Sequence, residues 1–146
     1  GAEQMKPFYK FIDHTADVLF VAKAEKLPEL FQQCALAVEE TMVETKKVAL
    51  KKKIKILGES EKIDSLLFDF IDDLIFFKDY QQLVFSTFDI TIEEKEGKYQ
   101  LKCIASGEKI DYARHHPKVD VKAVTRHMFK VEQVKGNWKA TVLLDI

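Results

Sequence analysis

The apolar residues of this chain follow two different spacings, which separate predicted helices from predicted strands. Between Lys26 and Met42 they recur on one helical face, and Pro28 suits the first turn of such a helix. A second helical segment is predicted to begin near Ser60, a candidate N-cap. Its core face is predicted to consist of Ile63, Leu66, Leu67, Phe70, Ile71, Leu74 and Ile75.

Elsewhere apolar and polar residues alternate, as they do in half-buried strands. Such runs occupy residues 48–56, 88–92, 119–121 and 138–144. Glu96-Gly97 and Lys135-Gly136-Asn137 are turn sequences, and each predicts a hairpin. The order of elements predicts an α+β fold, with two helices packed on mixed or antiparallel sheets, and disfavours a doubly wound parallel sheet.

Composition narrows the class of protein. A length of 146 residues with 47% hydrophobic content predicts one domain, over residues 5–146, while residues 1–4 are expected to be an expression scar or a disordered tail. The 23 basic and 24 acidic residues give a net charge of −1, which argues against RNA binding by the whole surface. Two isolated cysteines and the lack of a long apolar run predict a soluble, cytoplasmic protein with no membrane partner.

Common catalytic motifs are missing from the sequence. It has neither a Gly-rich phosphate loop nor a GxSxG nucleophile elbow, so nucleotide hydrolysis and nucleophilic catalysis are disfavoured. The second helix carries four aspartates away from most of its apolar positions, and a solvated helix face explains them better than a metal cluster. These are Asp64, Asp69, Asp72 and Asp73.

The segment from Asp13 to Asp17 places two carboxylates and the imidazole of His14 between two strand-like runs. Loops on a rigid scaffold are common positions for binding sites, and carboxylate oxygens favour hard divalent cations. The alternative is a structural turn, in which Asp13 or Thr15 caps the backbone and His14 makes a buried hydrogen bond. Spacing alone leaves both interpretations open.

The last residues offer a second candidate site. Asp145 precedes Ile146, whose α-carboxylate adds a neighbouring negative charge. A frayed, solvated end is the usual state of a terminus. The alternation from Trp138 to Leu144 continues to the end, however, and would hold Asp145 in place if the strand is internal.

Basic residues collect in two further places. Residues 112–118 and 121–127 carry much of the positive charge of the second half, including adjacent His115 and His116. If these two histidines lie in a strand they point to opposite faces, which weakens them as joint ligands. Decoration of a solvated strand edge explains these residues better than phosphate contact, and the Lys51-Lys52-Lys53 run is expected to be an exposed interruption of a strand.

Four segments, in order along the chain, resemble the archease family. They are Asp13-His14-Thr15-Ala16-Asp17, Ser65-Leu66-Leu67-Phe68, Lys122-Ala123-Val124-Thr125 and Leu144-Asp145-Ile146. The resemblance extends from Lys10 to the last residue, although Arg126 stands where an aromatic residue is often found. It implies a strand-helix-strand-strand module elaborated by an insertion.

The resemblance also implies a function. Archeases assist the tRNA-splicing RNA ligase by promoting its guanylylation and repeated turnover, so tRNA and GTP would be reached through the ligase. Asp17, Asp145 and Ile146, through its terminal carboxylate, match the family's metal-binding acids, with calcium, magnesium or manganese as the ion. His14 and Lys122 match supporting or partner-facing positions. The competing interpretations are a metal-dependent hydrolase that uses the same acids and a chaperone-like interaction module.

Overall fold

Two antiparallel sheets carry the seven strands found in residues 5–146, which are the residues described by the computed structural model. The strands are β1 (Phe8–Ile12), β2 (Val18–Ala24), β3 (Lys52–Ser60), β4 (Leu83–Lys95), β5 (Lys98–Lys109), β6 (Ala123–Val134) and β7 (Asn137–Asp145). The helices are α1 (Leu27–Met42) and α2 (Ile63–Gln81), and a 3-10 turn spans Thr45–Lys47. One sheet has the order β1-β2-β7-β6 and the other the order β3-β5-β4. The predicted α+β class is confirmed.

Each helix packs against both sheets, because its apolar face contacts strands from each. Helix α1 packs on β2 and β4, and helix α2 packs on β3 and β6. Phe31 and Phe70 stack with their ring centroids 5.9 Å apart, which joins the helices inside one apolar core. Cys34 and Cys103 are buried in this core as free thiols. Within residues 5–146, neither helix is long and apolar enough to cross a membrane.

The helix starts agree only partly with the sequence predictions. Helix α1 begins directly after Lys26 with Pro28 in its first turn, as predicted. The prediction of Ser60 as an N-cap is wrong, because Ser60 is the last residue of β3 and the N-cap is Lys62. The Ser60 hydroxyl accepts a hydrogen bond from the Lys62 amide at 3.2 Å, so it orders the connection between β3 and α2. Helix α2 continues past Ile75 and ends before Gln82, whose φ is +57°.

Both predicted hairpins are confirmed, and their turns have the same conformation. Glu96 and Gly97 have φ angles of +53° and +77°, and Lys135 and Gly136 have φ angles of +54° and +81°. Two successive residues with positive φ define the type I′ turn, whose twist matches that of the flanking strands. The β4–β5 and β6–β7 pairs are therefore set by two-residue turns that each end in glycine.

The predicted strand at residues 119–121 is wrong, since residues 110–122 form a connecting loop before β6. The backbone of this loop bonds to helix residues at positions 118 and 121. The Lys118 amide donates to the Met42 carbonyl at 2.8 Å, and the Val121 carbonyl accepts from the Lys78 ammonium at 2.7 Å. The lysine run at 51–53 also differs from its prediction, because Lys52 and Lys53 begin β3 and do not interrupt it.

The aspartates of α2 lie mainly on a solvated face, as predicted. Asp64, Asp69 and Asp72 are exposed. Asp73 differs because it is partly buried, and burial, together with the charges of Asp72 and Asp69, raises its pKa to about 6. Asp73 therefore takes up a proton at a higher pH than an ordinary aspartate.

Glu39 is a buried carboxyl group at the contact between α1 and β4. Its Oε1 accepts a hydrogen bond from the Phe85 amide at 2.9 Å, at a bulge in β4 between Phe85 and Thr87. The bulged strand lies so close to β5 that a Cβ on Gly107 would come within 1.9 Å of the Val84 carbonyl oxygen. Burial raises the pKa of Glu39 to about 8, although the Phe85 amide and the charge of Lys78 act in the opposite direction.

We expect Glu39 to make the protein less stable as pH rises from about 4.5 to about 8. In this range the unfolded chain has lost the Glu39 proton while the folded protein retains it, so the folded state binds more protons and loses stability with increasing pH. One such group contributes at most about 1.4 kcal/mol per pH unit. The Glu39→Gln variant should show a flatter dependence of the unfolding free energy on pH between roughly 6.5 and 8, the upper half of this range. The unfolding free energy is measured by urea denaturation at constant ionic strength.

Asp73→Asn serves as the control for this measurement. Because the raised pKa of Asp73 is about 6, this residue affects stability mainly below that pH. The Asp73→Asn variant should therefore leave the slope of the unfolding free energy against pH unchanged above about pH 6. Equal slopes for wild type and Glu39→Gln would show that Glu39 is ionised in the folded protein.

Candidate acidic site at the β2–β7 end

The end of β7 brings together residues from opposite ends of the chain. Strand β2 pairs antiparallel with β7, and Val18 lies opposite Leu144. Asp17 precedes Val18 and Asp145 follows Leu144, so both aspartates lie at the same end of this strand pair, just beyond the last residues that β2 and β7 pair. On its other side, β7 pairs Asp145 with Ala123 of β6. The two aspartates predicted as metal ligands therefore lie at the same end of the β2–β7 pair.

The last residue is held in place next to these aspartates. The side chain of Ile146 is partly buried and packs against the main apolar core. The Lys122 amide donates a hydrogen bond to the Asp145 carbonyl at 2.8 Å, while the Lys122 side chain is exposed. These contacts favour an ordered chain end over the frayed end considered as the alternative. Asp145, Ile146 and Lys122 thus belong to one surface region.

The loop between β1 and β2 provides the other part of this region. Residues 13–16 are exposed, and Ala16 has a φ of +69°, in the left-handed region. His14 is solvent-accessible, which excludes the alternative of a buried, hydrogen-bonded histidine. His14 and Asp17 line a depression of about 400 Å³ together with Glu40 and Lys118. The structure therefore brings His14 and Asp17 to one surface, and Asp145 lies at the same end of the β2–β7 pair as Asp17.

Glu40 at the wall of this depression already has partners. Its carboxylate accepts hydrogen bonds from the Lys118 ammonium at 2.8 Å and from the Thr45 hydroxyl at 2.9 Å. Burial raises the pKa of Glu40, but the bonds from Lys118 and Thr45 outweigh that effect and hold the pKa below its usual value. Within residues 5–146, in contrast, no ion pair involves Asp17 or Asp145. These two carboxylates are available to an external cation.

The donor set at this site fits a hard cation only if the chain end takes part. In the part of the chain from residue 5 onward, no group of three or more His, Cys, Asp or Glu side chains is arranged to hold a metal. The predicted ligand set of Asp17, Asp145 and the α-carboxylate of Ile146 consists of oxygens alone, and His14 would add a nitrogen donor. Carboxylate oxygens of this kind suit calcium, magnesium or manganese better than zinc, which prefers nitrogen and sulfur ligands.

A network around Glu108 and His115 was not predicted from the sequence. Both side chains are buried, and the His115 Nε2 lies 2.8 Å from the Glu108 carboxylate. The His115 Nδ1 accepts a hydrogen bond from the Asp111 amide at 2.8 Å, so Nε2 carries the hydrogen and donates to Glu108. His115 and His116 do not lie in a strand, since His115 is buried in a loop and His116 is exposed with a φ of +51°.

The family-like segment that ends at Phe68 meets β6 at an aromatic contact. Phe68 of α2 packs edge to face against Phe129 of β6, with the ring centroids 5.2 Å apart. The guanidinium of Arg126 lies 4.0 Å from the centroid of the Phe68 ring. A cation over an aromatic face is attracted by the ring quadrupole, so Arg126 covers Phe68 in place of an aromatic side chain.

Comparisons with known proteins agree with this geometry. Residues 9–146 match the Archease protein family (MTH1598/TM1083). The chain is 39% identical over 139 residues to the protein archease of Pyrococcus furiosus, covering 94% of this chain and 98% of that protein. It is 37% identical over 140 residues to the protein archease of Methanosarcina mazei, covering 94% and 95% of the two chains.

Solved structures show the same fold. The solution structure of Methanobacterium thermoautotrophicum protein 1598 superposes with a TM-score of 0.85 at 37% identity, covering 94% of this chain and 98% of that one. A crystal structure from Thermotoga maritima, described as an archease and possible chaperone, has a TM-score of 0.61 at 18% identity, with full coverage of both chains, and supports the fold alone. With its family match running from β1 to the last residue, the chain belongs to the archease family.

Proposed function

We propose that this protein is an accessory factor of the tRNA-splicing RNA ligase in the cytoplasm. In this proposal it promotes ligase guanylylation and multiple turnover, and it acts on tRNA and GTP indirectly, through the ligase. Membership of the archease family supports the RNA ligase as the partner. The observation that carries the proposal is the β2–β7 pairing, which ends at Val18 and Leu144, the residues that adjoin Asp17 and Asp145.

The acidic groups are proposed to bind one divalent cation. Closely spaced carboxylates repel one another, and a bound cation converts that repulsion into coordination. Asp17, Asp145 and the α-carboxylate of Ile146 would hold calcium, magnesium or manganese, and His14 would add a nitrogen or orient a ligand. The cation would supply positive charge and open coordination positions to a phosphate group of the partner.

The exposure of the site favours an accessory role over independent catalysis. Asp145 and His14 are both exposed, and the depression that His14 lines is open to solvent. Enzymes usually enclose their reacting groups, because exclusion of water strengthens electrostatic stabilisation. An exposed cation at the edge of a sheet is instead well placed to approach the active site of a larger protein.

Two other functions make different predictions. A metal-dependent hydrolase that used the same acids would turn over a model phosphoester alone. A chaperone-like module, the role suggested in the description of the Thermotoga maritima protein, would bind its client without a metal. Such a module should retain its function after Asp17→Asn or Asp145→Asn.

We expect Asp145→Asn to lower divalent-cation affinity by at least about tenfold, since one of the charged ligands becomes a weaker neutral donor. A variant extended by a few residues beyond Ile146 should behave similarly, because it moves the α-carboxylate. Calorimetric titration with calcium, magnesium and manganese measures both effects. Asp89→Asn, at an exposed position of β4, is the matched control and should bind like wild type. Unchanged cation binding in both the Asp145→Asn and the extended proteins would contradict the shared site.

We expect the isolated protein to have no ligase, nuclease or nucleotidase activity, because its sequence lacks a phosphate-cradling loop and an activated nucleophile. Added to the purified ligase with GTP and RNA halves, it should increase guanylylation and the number of turnovers. Asp145→Asn should lose this stimulation. Robust phosphoester hydrolysis by the protein alone, abolished by Asp17→Asn, would favour the hydrolase instead.

We expect Lys122→Glu to weaken ligase stimulation without unfolding the protein. The side chain is exposed, and the bond to the Asp145 carbonyl uses the backbone amide, which the substitution retains. Exposed substitutions of this kind usually change stability by about 0.5 kcal/mol or less. Lys102→Glu, at an exposed position of β5, is the control for the charge change. A collapse of the melting temperature in Lys122→Glu would instead identify a structural role.

A further inference from the structure

We propose that a second surface of this protein, separate from the acidic site, binds phosphate groups. This surface, the basic depression, has a volume of about 550 Å³. It is lined by Lys51, Lys52, Glu108, Lys109, Ile110, Asp111 and Arg114. None of these residues lines the depression next to His14 and Asp17. The proposal does not depend on cation binding or on the ligase.

Sheet pairing assembles the cations of the basic depression from three separate parts of the sequence. The register of β3 and β5 places Lys52 opposite Gly107, and the Lys51 amide donates to the Gly107 carbonyl at 3.0 Å. Lys109 ends β5, and Arg114 follows in the next loop. Four positive side chains therefore surround one depression in a chain whose net charge is −1.

The two carboxylates in the basic depression already have partners inside the protein. Glu108 accepts hydrogen bonds from the Ala49 amide at 2.7 Å and from His115 at 2.8 Å, and it pairs with Arg114. Burial raises the pKa of Glu108, but these bonds outweigh burial and lower the pKa to about 2. Asp111 accepts from the Ala113 amide at 3.0 Å within its own turn. Four cations and two such engaged carboxylates leave an excess of two positive charges.

The cations differ in how firmly they are held. Arg114 is anchored by Glu108, and the loop that carries it is fastened by the bonds of His115, so its guanidinium is positioned before any ligand arrives. Lys52 and Lys109 are exposed, and within residues 5–146 neither takes part in an ion pair. Both are therefore free to neutralise an incoming anion.

This arrangement suits a ligand with several phosphates. The planar guanidinium of Arg114 matches two phosphate oxygens, and lysines act as mobile point charges around it. A volume of about 550 Å³ is large for one phosphate, so successive phosphates of single-stranded RNA or of a free polyphosphate fit it better. The lining contains no aromatic residue on which a base could stack, so recognition should be independent of sequence.

The test compares two double variants with the same change in charge. Lys52→Gln with Lys109→Gln removes the two unpaired cations of the basic depression. Lys95→Gln with Lys102→Gln removes two exposed lysines of the same sheet, outside the basic depression. The probes are a labelled single-stranded oligouridylate, followed by fluorescence anisotropy, and unlabelled inorganic triphosphate as competitor, both with the isolated protein.

Wild-type protein should bind the oligouridylate with an affinity that falls as salt rises. Removal of two phosphate contacts should weaken binding at low salt by roughly tenfold and reduce the slope of log K against log salt by about 1.4, or about 0.7 per contact on a single strand. The control pair should bind like wild type. If triphosphate competes only weakly with the oligouridylate, the ligand of the basic depression is an RNA backbone. If triphosphate competes at a concentration equal to that of the oligouridylate, the ligand is a free polyphosphate.

Two results would overturn the proposal. One is that neither probe binds wild-type protein at low salt, and the other is that both double variants lose affinity equally. Arg114→Lys provides a further variant that keeps the charge but removes the planar fork, and it should also weaken binding. Because the ligase is absent from these measurements, their failure is distinguishable from failure of the proposed ligase function.

Discussion

The pairing of β2 with β7 is the constraint on which the acidic site depends. Antiparallel pairing joins residues from opposite ends of the sequence in a fixed register, and Val18 lies opposite Leu144. A slip of one residue would move the apolar side chains of β7 to the wrong face, so burial of Val142 and Leu144 enforces this register. The same apolar contacts that stabilise the sheet therefore also bring Asp17 and Asp145 to the same end of the strand pair.

Helix α1 is buried on two sides, which explains why it carries a buried polar residue, Glu39. Because α1 packs on β2 and on β4, its apolar surface extends around much of the helix. The bulge in β4 leaves the Phe85 amide without a strand partner at this point, and Glu39 satisfies it from the helix. An unpaired buried amide costs about 1–3 kcal/mol, which is comparable to the cost of burying a protonated carboxyl group. Glu39 thus connects the helix to an irregularity of the sheet.

Local spacing was sufficient to predict much of the fold. The helical face from Lys26 to Met42, the two turns that end in Gly97 and Gly136, and the alternation in β7 all depend on contacts between near neighbours in sequence. The β1–β2 loop and the chain end were also identified as candidate sites from local composition. The proximity of this loop to the chain end was inferred from family resemblance, because no local pattern encodes the register between β2 and β7.

The missed features depend on contacts between distant residues. Residues 119–121 alternate like a strand, but the Val121 carbonyl bonds to the Lys78 side chain and the preceding Lys118 amide bonds to the end of α1, which spacing cannot show. His115 and Glu108 form a buried pair only because the loop after β5 folds back through a turn at Asp111. Likewise, the lysines at 51–52 lie near Arg114 through the register of β3 and β5, and not through their order in the sequence.

The loop at residues 110–122 physically connects the two charged surfaces. Its first part lines the basic depression and is held by the bond between His115 and Glu108. Its middle part is held by Lys118, which bonds to Glu40 at the wall of the depression next to His14. Its end is held where the Lys122 amide donates to the Asp145 carbonyl. These bonds hold the loop at three points along its length, so the placement of the two charged surfaces depends on them as well as on the sheets.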